Sequence, residues 1–411
     1  MADNRLDDRF GLVELRLFME ELVSNICRFM HADADGLPPE AVQITEEVKL
    51  GKTNAFADIL IEVPGKTRYI VEVDYGYSLT RIGESLARKY RQELDWFPSI
   101  SKLVLVYDGK EHTDREALKR HVKTFVPSGW EVELWDEECL LKHLRRQFGV
   151  ELDSLNPDSL QDVRLAIDRA KGRYAFAEAY ENSPLDSTLL WHLGHWRLRE
   201  LYKAAANNKR MVLPPGSFGS VAVVFADLCG FSGYVRDTRS GQTIRDCMTA
   251  FCSKSRSLVI NRGGMAYQFL GDAVIGLFGI PDRPQGYVDR AFECAQALLA
   301  VGESVTNEWQ RQLDREQPVS GCHVGIAMGD LQLLSLRPFS RTHLSAIGDA
   351  INVAARLSSV AQSGEIVVSN LVHRELSPGM QASLHLTEGI AAKNVGMIKA
   401  WTFNGAAAAG A

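Results

Sequence analysis

No stretch of this chain approaches the roughly 18 apolar residues that a membrane-crossing helix needs. Its opening, Met1 to Phe10, is charged and lacks the apolar core of a secretion signal. Both absences lead us to expect a cytoplasmic protein with no membrane partner. Paired cysteines are missing as well. Cys27, Cys139, Cys229, Cys247, Cys252, Cys294 and Cys322 are scattered, odd in number and never spaced as CxxC. That excludes a disulfide framework and zinc knuckles, and the seven read as reduced core thiols. An excess of positive charge is absent too. The formal net charge is -6, so nucleic acid is not expected as a general partner, although a phosphate-binding site can still be locally positive.

What is present is ordinary globular material. The 411 residues are 45% hydrophobic and 24% charged, enough for two or three domains with real cores. Four stretches separate. Residues 1–155 alternate helical and strand patterns: a helical repeat from Leu12 to Met30, strands at Phe56 to Val63 and Arg68 to Val73 around Pro64-Gly65-Lys66, and further strands at Lys102 to Tyr107 and Glu131 to Trp135. Residues 156–216 read as a helical connector, two helices broken at Asn182-Ser183-Pro184. Residues 217–404 form a self-contained α/β unit, and the Ala/Gly tail 405–411 is expected to be disordered.

Three segments of the third stretch carry chemistry. The run Ser220 to Phe225 is a buried-strand pattern that ends in Ala226-Asp227-Leu228-Cys229-Gly230-Phe231-Ser232. A carboxylate at a strand end suits a metal, and the turn that follows offers backbone N–H groups to phosphate. Alone, such an aspartate is more often a turn former. The segment Met265 to Gly279 reads as a hairpin with Asp272 at its tip. If the hairpin lies beside the first strand, Asp227 and Asp272 meet, and two carboxylates can hold two divalent ions against a triphosphate. The third segment, Ile347 to Leu357, reads as a helix that Asp349 can cap. It puts Asn352 and Arg356 at i and i+4 on one face. That pair suits a sugar and a phosphoryl group; in isolation it is more often a polar surface pair.

Together FADLCGFS, FLGDA and IGDAINVAARL resemble the class III adenylate/guanylate cyclase domain, over about residues 217–404. The resemblance implies a ferredoxin-like βαββαβ core within an overall α/β (α+β) chain. It also implies that a nucleoside triphosphate is converted to a 3',5'-cyclic monophosphate. It assigns Asp227 and Asp272, with the Leu228 carbonyl, to two Mn²⁺ or Mg²⁺ ions, and Asn352 and Arg356 to ribose and α-phosphate. Phe231 and Lys393 go to substrate binding, Lys393 at the terminal phosphates by a looser match. The two halves of each site come from opposite subunits, so a homodimer is expected.

Two positions select the base in that family, and they are Gln268 and Ser345 here. The adenylate pattern is Lys and Asp, and the guanylate pattern has Glu at the first position. An amide and a hydroxyl each donate and accept, so hydrogen bonding alone does not choose the base. The build resembles the pyrimidine cyclases of the Pycsar antiphage systems. This implies UTP as substrate, cyclic UMP as product and a separate effector that reads it. The alternatives are CTP, or a purine with divergent selectors.

The first stretch resembles, more loosely, a restriction-endonuclease-like domain of type I restriction R subunits, over about residues 10–140. Asp58 and Glu72 match its metal site, but Asp74 stands where that site has lysine. An aspartate would repel the DNA backbone, so a nuclease-like fold without nuclease activity is expected.

Overall fold

A computed structural model describes residues 5–51, 55–66, 68–91, 97–109, 114–155, 159–176, 184–205, 213–336, 343–392 and 396–405. The chain divides into two units, Met1–Ala177 and Glu178–Ala411. The stretch read as one helical connector is shared between them.

The first unit is built on a five-stranded sheet. Its strands are β1 (Gln43–Lys49), β2 (Phe56–Glu62), β3 (Arg68–Asp74), β4 (Ile100–Tyr107) and β5 (Glu131–Trp135), in that spatial order. The pairs β1–β2 and β2–β3 are antiparallel, whereas β3–β4 and β4–β5 are parallel. The segment Thr45 to Lys49 lies within β1. Helices α1 (Arg5–Asp35), α2 (Leu79–Tyr90), α3 (Arg115–Lys123), α4 (Glu137–Phe148) and α5 (Leu160–Phe176) complete the unit. The N-terminus of α2 is capped by Ser78, whose side chain accepts from the Arg81 N–H. Its buried face comprises Ile82, Gly83, Leu86, Lys89 and Tyr90. The helical repeat therefore turns a lysine inward among apolar neighbours.

The second unit opens with α6 (Pro184–Ala205), which carries a break in helical geometry at Gly194. Pro184, expected to break a helix, instead starts one, where its missing N–H costs nothing. The sheet then follows: β6 (Gly216–Leu228), α7 (Phe231–Asp237), α8 (Gly241–Asn261), β7 (Met265–Leu270), β8 (Ala273–Phe278), α9 (Tyr287–Gln310) and β9 (Cys322–Leu336). The strands lie side by side as β9-β6-β8-β7, and β6–β8, β6–β9 and β7–β8 are all antiparallel. With α8 and α9 this is the expected βαββαβ core.

Beyond β9 come β10 (His343–Ile347), α10 (Asp349–Val360), β11 (Glu365–Ser369), α11 (Asn370–Glu375), α12 (Pro378–Ala382), β12 (His385–Ala392) and β13 (Gly396–Asn404). β11 extends the sheet parallel to β9, β13 and β12 follow it outward, and β10 pairs with β9 as a separate branch. The core between sheet and helices is aliphatic and aromatic, with Val224, Phe251, Phe278, Phe292, Val324 and Ile326 fully enclosed.

One close approach sets where α10 lies. A side chain at Gly325 of β9 would sit 2.0 Å from the Ala354 carbonyl and 2.3 Å from the Ser358 N–H. Only glycine lets the backbone of α10 rest this close to the central strands. All seven cysteines are free thiols. Among the described residues no helix is long and apolar enough to cross a membrane.

Candidate active site

The two expected metal aspartates converge. Asp227 occupies the penultimate position of β6 and is paired in register with Ala273 of β8. That register brings the β7–β8 turn, with Asp272 in it, beside the end of β6. Gly271 makes this turn with φ +65° and open space around it, a left-handed conformation that glycine adopts without strain. The Leu228 N–H donates to the Asp272 carbonyl at 3.4 Å, so the neighbour of one aspartate is tied to the backbone of the other.

The two carboxyl groups interact directly. Partial burial and the negative charge of Asp227 together push Asp272 up to about 6. Asp227 Oδ1 is enclosed and has no hydrogen-bond partner. An orphaned carboxylate oxygen beside a second carboxylate has the donor chemistry that a divalent cation requires. Among the described residues no group of three or more His, Cys, Asp or Glu side chains is arranged to hold a metal ion. Two carboxylates fit the Mg²⁺ or Mn²⁺ pattern, in which water and substrate phosphates complete the coordination, rather than an all-protein cage.

His323 enters from the other side of Asp227, and nothing in the sequence spacing announced it. It lies on β9 directly opposite Asp227 in the β6–β9 register. Its Nε2 is 3.5 Å from Asp227 Oδ2, and its Nδ1 is 2.9 Å from the Ala361 carbonyl. Burial opposes protonation, but the Asp227 carboxylate and the Ala361 carbonyl outweigh it and raise the His323 pKa above its ordinary value. Only strand pairing could have found this residue.

Asn352 and Arg356 fall one turn apart on α10, and both are exposed. Neither side chain has a hydrogen-bond or ionic partner among the described residues. Asp349 does not cap this helix; it is the first helical residue, and Gly348 holds the cap position without a side-chain bond. The close seat at Gly325 consumes the inner face of α10, burying Ala354, Leu357 and Ser358.

The remaining candidates are spread around these groups. Leu228 is buried. The Phe231 ring packs edge-on against Trp309, with centroids 6.0 Å apart; its side chain is partly held in the core at the start of α7. Gln268 is exposed on β7 and Ser345 is half-buried on β10. Lys393 lies outside the described residues, as do residues 406–411 of the tail. Of the bulky neighbours of Gln268, Tyr267 is buried, and Phe269 packs on Trp191 of α6.

Residues 213–405 match the sequence profile of the adenylate and guanylate cyclase catalytic domain. This part of the chain is a class III cyclase-type catalytic domain. Among solved structures, the guanylyl cyclase Cya2 aligns at 20% identity with a TM-score of 0.41, covering 46% of this chain and 93% of that one. The adenylyl cyclase CyaB from P. aeruginosa gives 20% and 0.41, covering 46% and 95%. An uncharacterized protein of Mycobacterium tuberculosis (strain ATCC 25618 / H37Rv) is 28% identical over 160 residues, 39% of this chain and 26% of its own length. The chain thus spans about a quarter of the length of the curated relatives it matches.

The first unit holds a second cluster of titratable groups. Lys89 Nζ is 2.9 Å from Asp58 Oδ1 and also binds Glu72 Oε2, while the Tyr90 hydroxyl donates to Glu72 Oε1. Asp58 Oδ2 accepts from the Val73 N–H at 2.8 Å. A lysine therefore does stand between the two acidic residues, but it comes from α2 rather than from position 74. The signal was available: Ile82, Leu86 and Lys89 share one helical face.

Proposed function

We propose that this protein is a nucleotide cyclase that converts UTP to 3',5'-cyclic UMP and pyrophosphate. The observation that carries the cyclase reading is the meeting of Asp227 and Asp272, one oxygen unpartnered, within the cyclase-type domain. Asp227 and Asp272 would hold Mg²⁺ or Mn²⁺, which when bound supplies Lewis acidity at the phosphates. Asn352 orients the ribose so that its 3'-oxygen faces the α-phosphorus. The 3'-hydroxyl gives up its proton to solvent and its oxygen forms the new bond to the α-phosphorus, while the bond from that phosphorus to pyrophosphate breaks and its electron pair leaves with pyrophosphate. Arg356 places its planar fork on the oxygens of the α-phosphate, where negative charge rises during transfer.

The pyrimidine reading is supported by Gln268 and Ser345, which fit neither purine pattern. Incubating the full chain with ATP, GTP, CTP and UTP and Mn²⁺, and resolving the products, tests both levels. Cyclic UMP as the main product is expected. Cyclic CMP, cyclic AMP or cyclic GMP instead would overturn the choice of base, and no cyclic product would overturn the cyclase reading. In the same reading the product serves a separate effector as a defence signal.

Asn352 and Arg356 are exposed and have no partner among the described residues, which suits a site completed by a second copy. An equimolar mixture of Asp272→Ala and Arg356→Ala subunits should recover about a quarter of wild-type turnover, because half of the dimers are mixed and each has one intact site. No recovery, with mixed dimers shown to form, would place the whole site in one subunit.

For the first unit the reading is a nuclease-like fold that does not cut DNA. It is supported by the burial of Asp58, Glu72, Asp74 and Lys89, each at most 6% exposed. Plasmid DNA should survive incubation with the protein and Mg²⁺; cleavage lost in Glu72→Ala would refute it.

A further inference from the structure

Strand β7 does not run regularly through the position of Gln268. Ala266 pairs with Gly276 and Gln268 with Ile275, so Tyr267 is an extra residue, a bulge. Its side chain turns inward and is 9% exposed. The hydroxyl accepts from the Ala346 N–H at 2.8 Å and points back to the Ala346 carbonyl at 3.5 Å. Ala346 is the residue after Ser345. In the sheet, β7 is separated from β9, the only strand that β10 pairs with among those described, by β6 and β8. Tyr267 thus spans strands that no backbone ladder joins.

From the other side β7 is held by α6. His192 Nδ1 donates to the Ala266 carbonyl at 2.7 Å, and Trp191 packs edge-on against Phe269. The residues flanking Gln268 are therefore fixed at 266, 267 and 269, and Gln268 alone of these four is exposed.

We propose that Tyr267 is a positioning residue for base recognition, clamping the strand that carries Ser345 to the strand that carries Gln268. This rests on the reading of Gln268 and Ser345 as the base-facing pair. Each is one residue from an end of the Tyr267–Ala346 bond, so the bond fixes their spacing. A base edge held by two groups demands that spacing; contacts to phosphate and ribose do not. The clamp therefore bears on which base binds and not on the reacting groups.

The test uses the full chain and Tyr267→Phe, which keeps the ring in place and removes only the hydroxyl. Binding of the four 3'-deoxynucleoside triphosphates, which cannot cyclise, is measured with Mn²⁺, alongside amide hydrogen exchange of residues 343–347. We expect faster exchange there. We also expect affinity for the preferred base to weaken roughly five- to tenfold, the scale of one hydrogen bond, with little change for the others, so that discrimination narrows. Unchanged exchange, an equal loss for all four nucleotides, or a wild-type protein without base preference would each overturn the proposal. Turnover of the ordinary triphosphates by the wild type reports on the cyclase reading separately. An inactive protein whose analogue binding still narrows in Tyr267→Phe would sink that reading and leave the clamp standing.

Discussion

Both units of this chain bring carboxylates from neighbouring strands and turns together, and they neutralise them in opposite ways. In the first unit Asp58, Glu72 and Asp74 are sealed from water, and the compensating charge is built in as Lys89. Burial would raise Asp58, but Lys89, Arg16 and the Val73 N–H prevail and hold it down at about 2. Glu72, more deeply enclosed and beside Asp58, is pushed well above the carboxylate range. The cluster settles its own charge by one ion pair and by protonation. In the second unit Asp227 and Asp272 are only half-buried, and among the described residues no lysine or arginine is ion-paired with them. His323 lies against Asp227, and its positive charge offsets part of the rise at Asp272. In the proposed reading the first cluster holds a fold together, whereas the second would take its cation from solution.

The largest effect should follow from removing a group from the open pair. Asp227→Ala or Asp272→Ala should lower cyclisation by about a thousandfold or more, the scale of losing a centre that stabilises transition-state charge. The melting temperature should hold or rise slightly, because removing one carboxylate relieves the repulsion felt by the other. Turnover assays with matched thermal melts check this, and a folded variant with wild-type turnover would remove the metal assignment.

The closed cluster should respond the other way, in stability. Lys89→Met fills similar volume but leaves Asp58 buried without its cation. Breaking one partner out of a buried ion pair costs about 3–5 kcal/mol. The expected result is a melting temperature of the first unit lower by roughly 10 °C. Cyclase turnover measured below that temperature should change little. A variant as stable as wild type would mean that Lys89 does not compensate the cluster.

How much of this contrast is legible in the sequence depends on range. The open pair was readable because strand, turn and hairpin are local: Asp227 closes its strand and Asp272 tops its own hairpin. Asn352 and Arg356 are one helical turn apart, so their shared face follows from periodicity alone. What was missed lies across the sheets. His323 reaches Asp227 only through the β6–β9 register, and Tyr267 reaches Ala346 only through a bulge and a strand that branches from the sheet. Lys89 lies between these cases. Its place on an apolar helical face was visible, but a carboxylate partner had to be inferred from a fold. The nuclease pattern places a lysine along the strand, at position 74, whereas here the charge comes from the next helix. The cap expected at Asp349 failed for a local reason, because the backbone turns at Gly348 and Asp349 is already helical.

Asp74 gives the smallest effect and the sharpest discrimination between the two clusters. It is 2% exposed, and its Oδ2 has no hydrogen-bond partner. Burial raises its pKa, Lys89 offsets part of that, and the result is about 6 against an ordinary 3.8. A carboxyl group whose folded pKa lies above its unfolded one binds its proton more tightly when folded. Its favourable contribution is complete below about pH 4 and is lost as pH rises through about 6. At pH 7 the folded protein must therefore keep a charged Asp74 in an unpartnered, dry position. Asp74→Asn removes that titration and should stabilise the first unit at pH 7 by on the order of 1–3 kcal/mol, while bringing no gain at pH 4. Thermal melts of wild type and Asp74→Asn at pH 4, 5, 6 and 7 measure the difference directly. It should grow with pH and level off above about 6. A difference that stays flat across the series would mean that Asp74 does not titrate in this range.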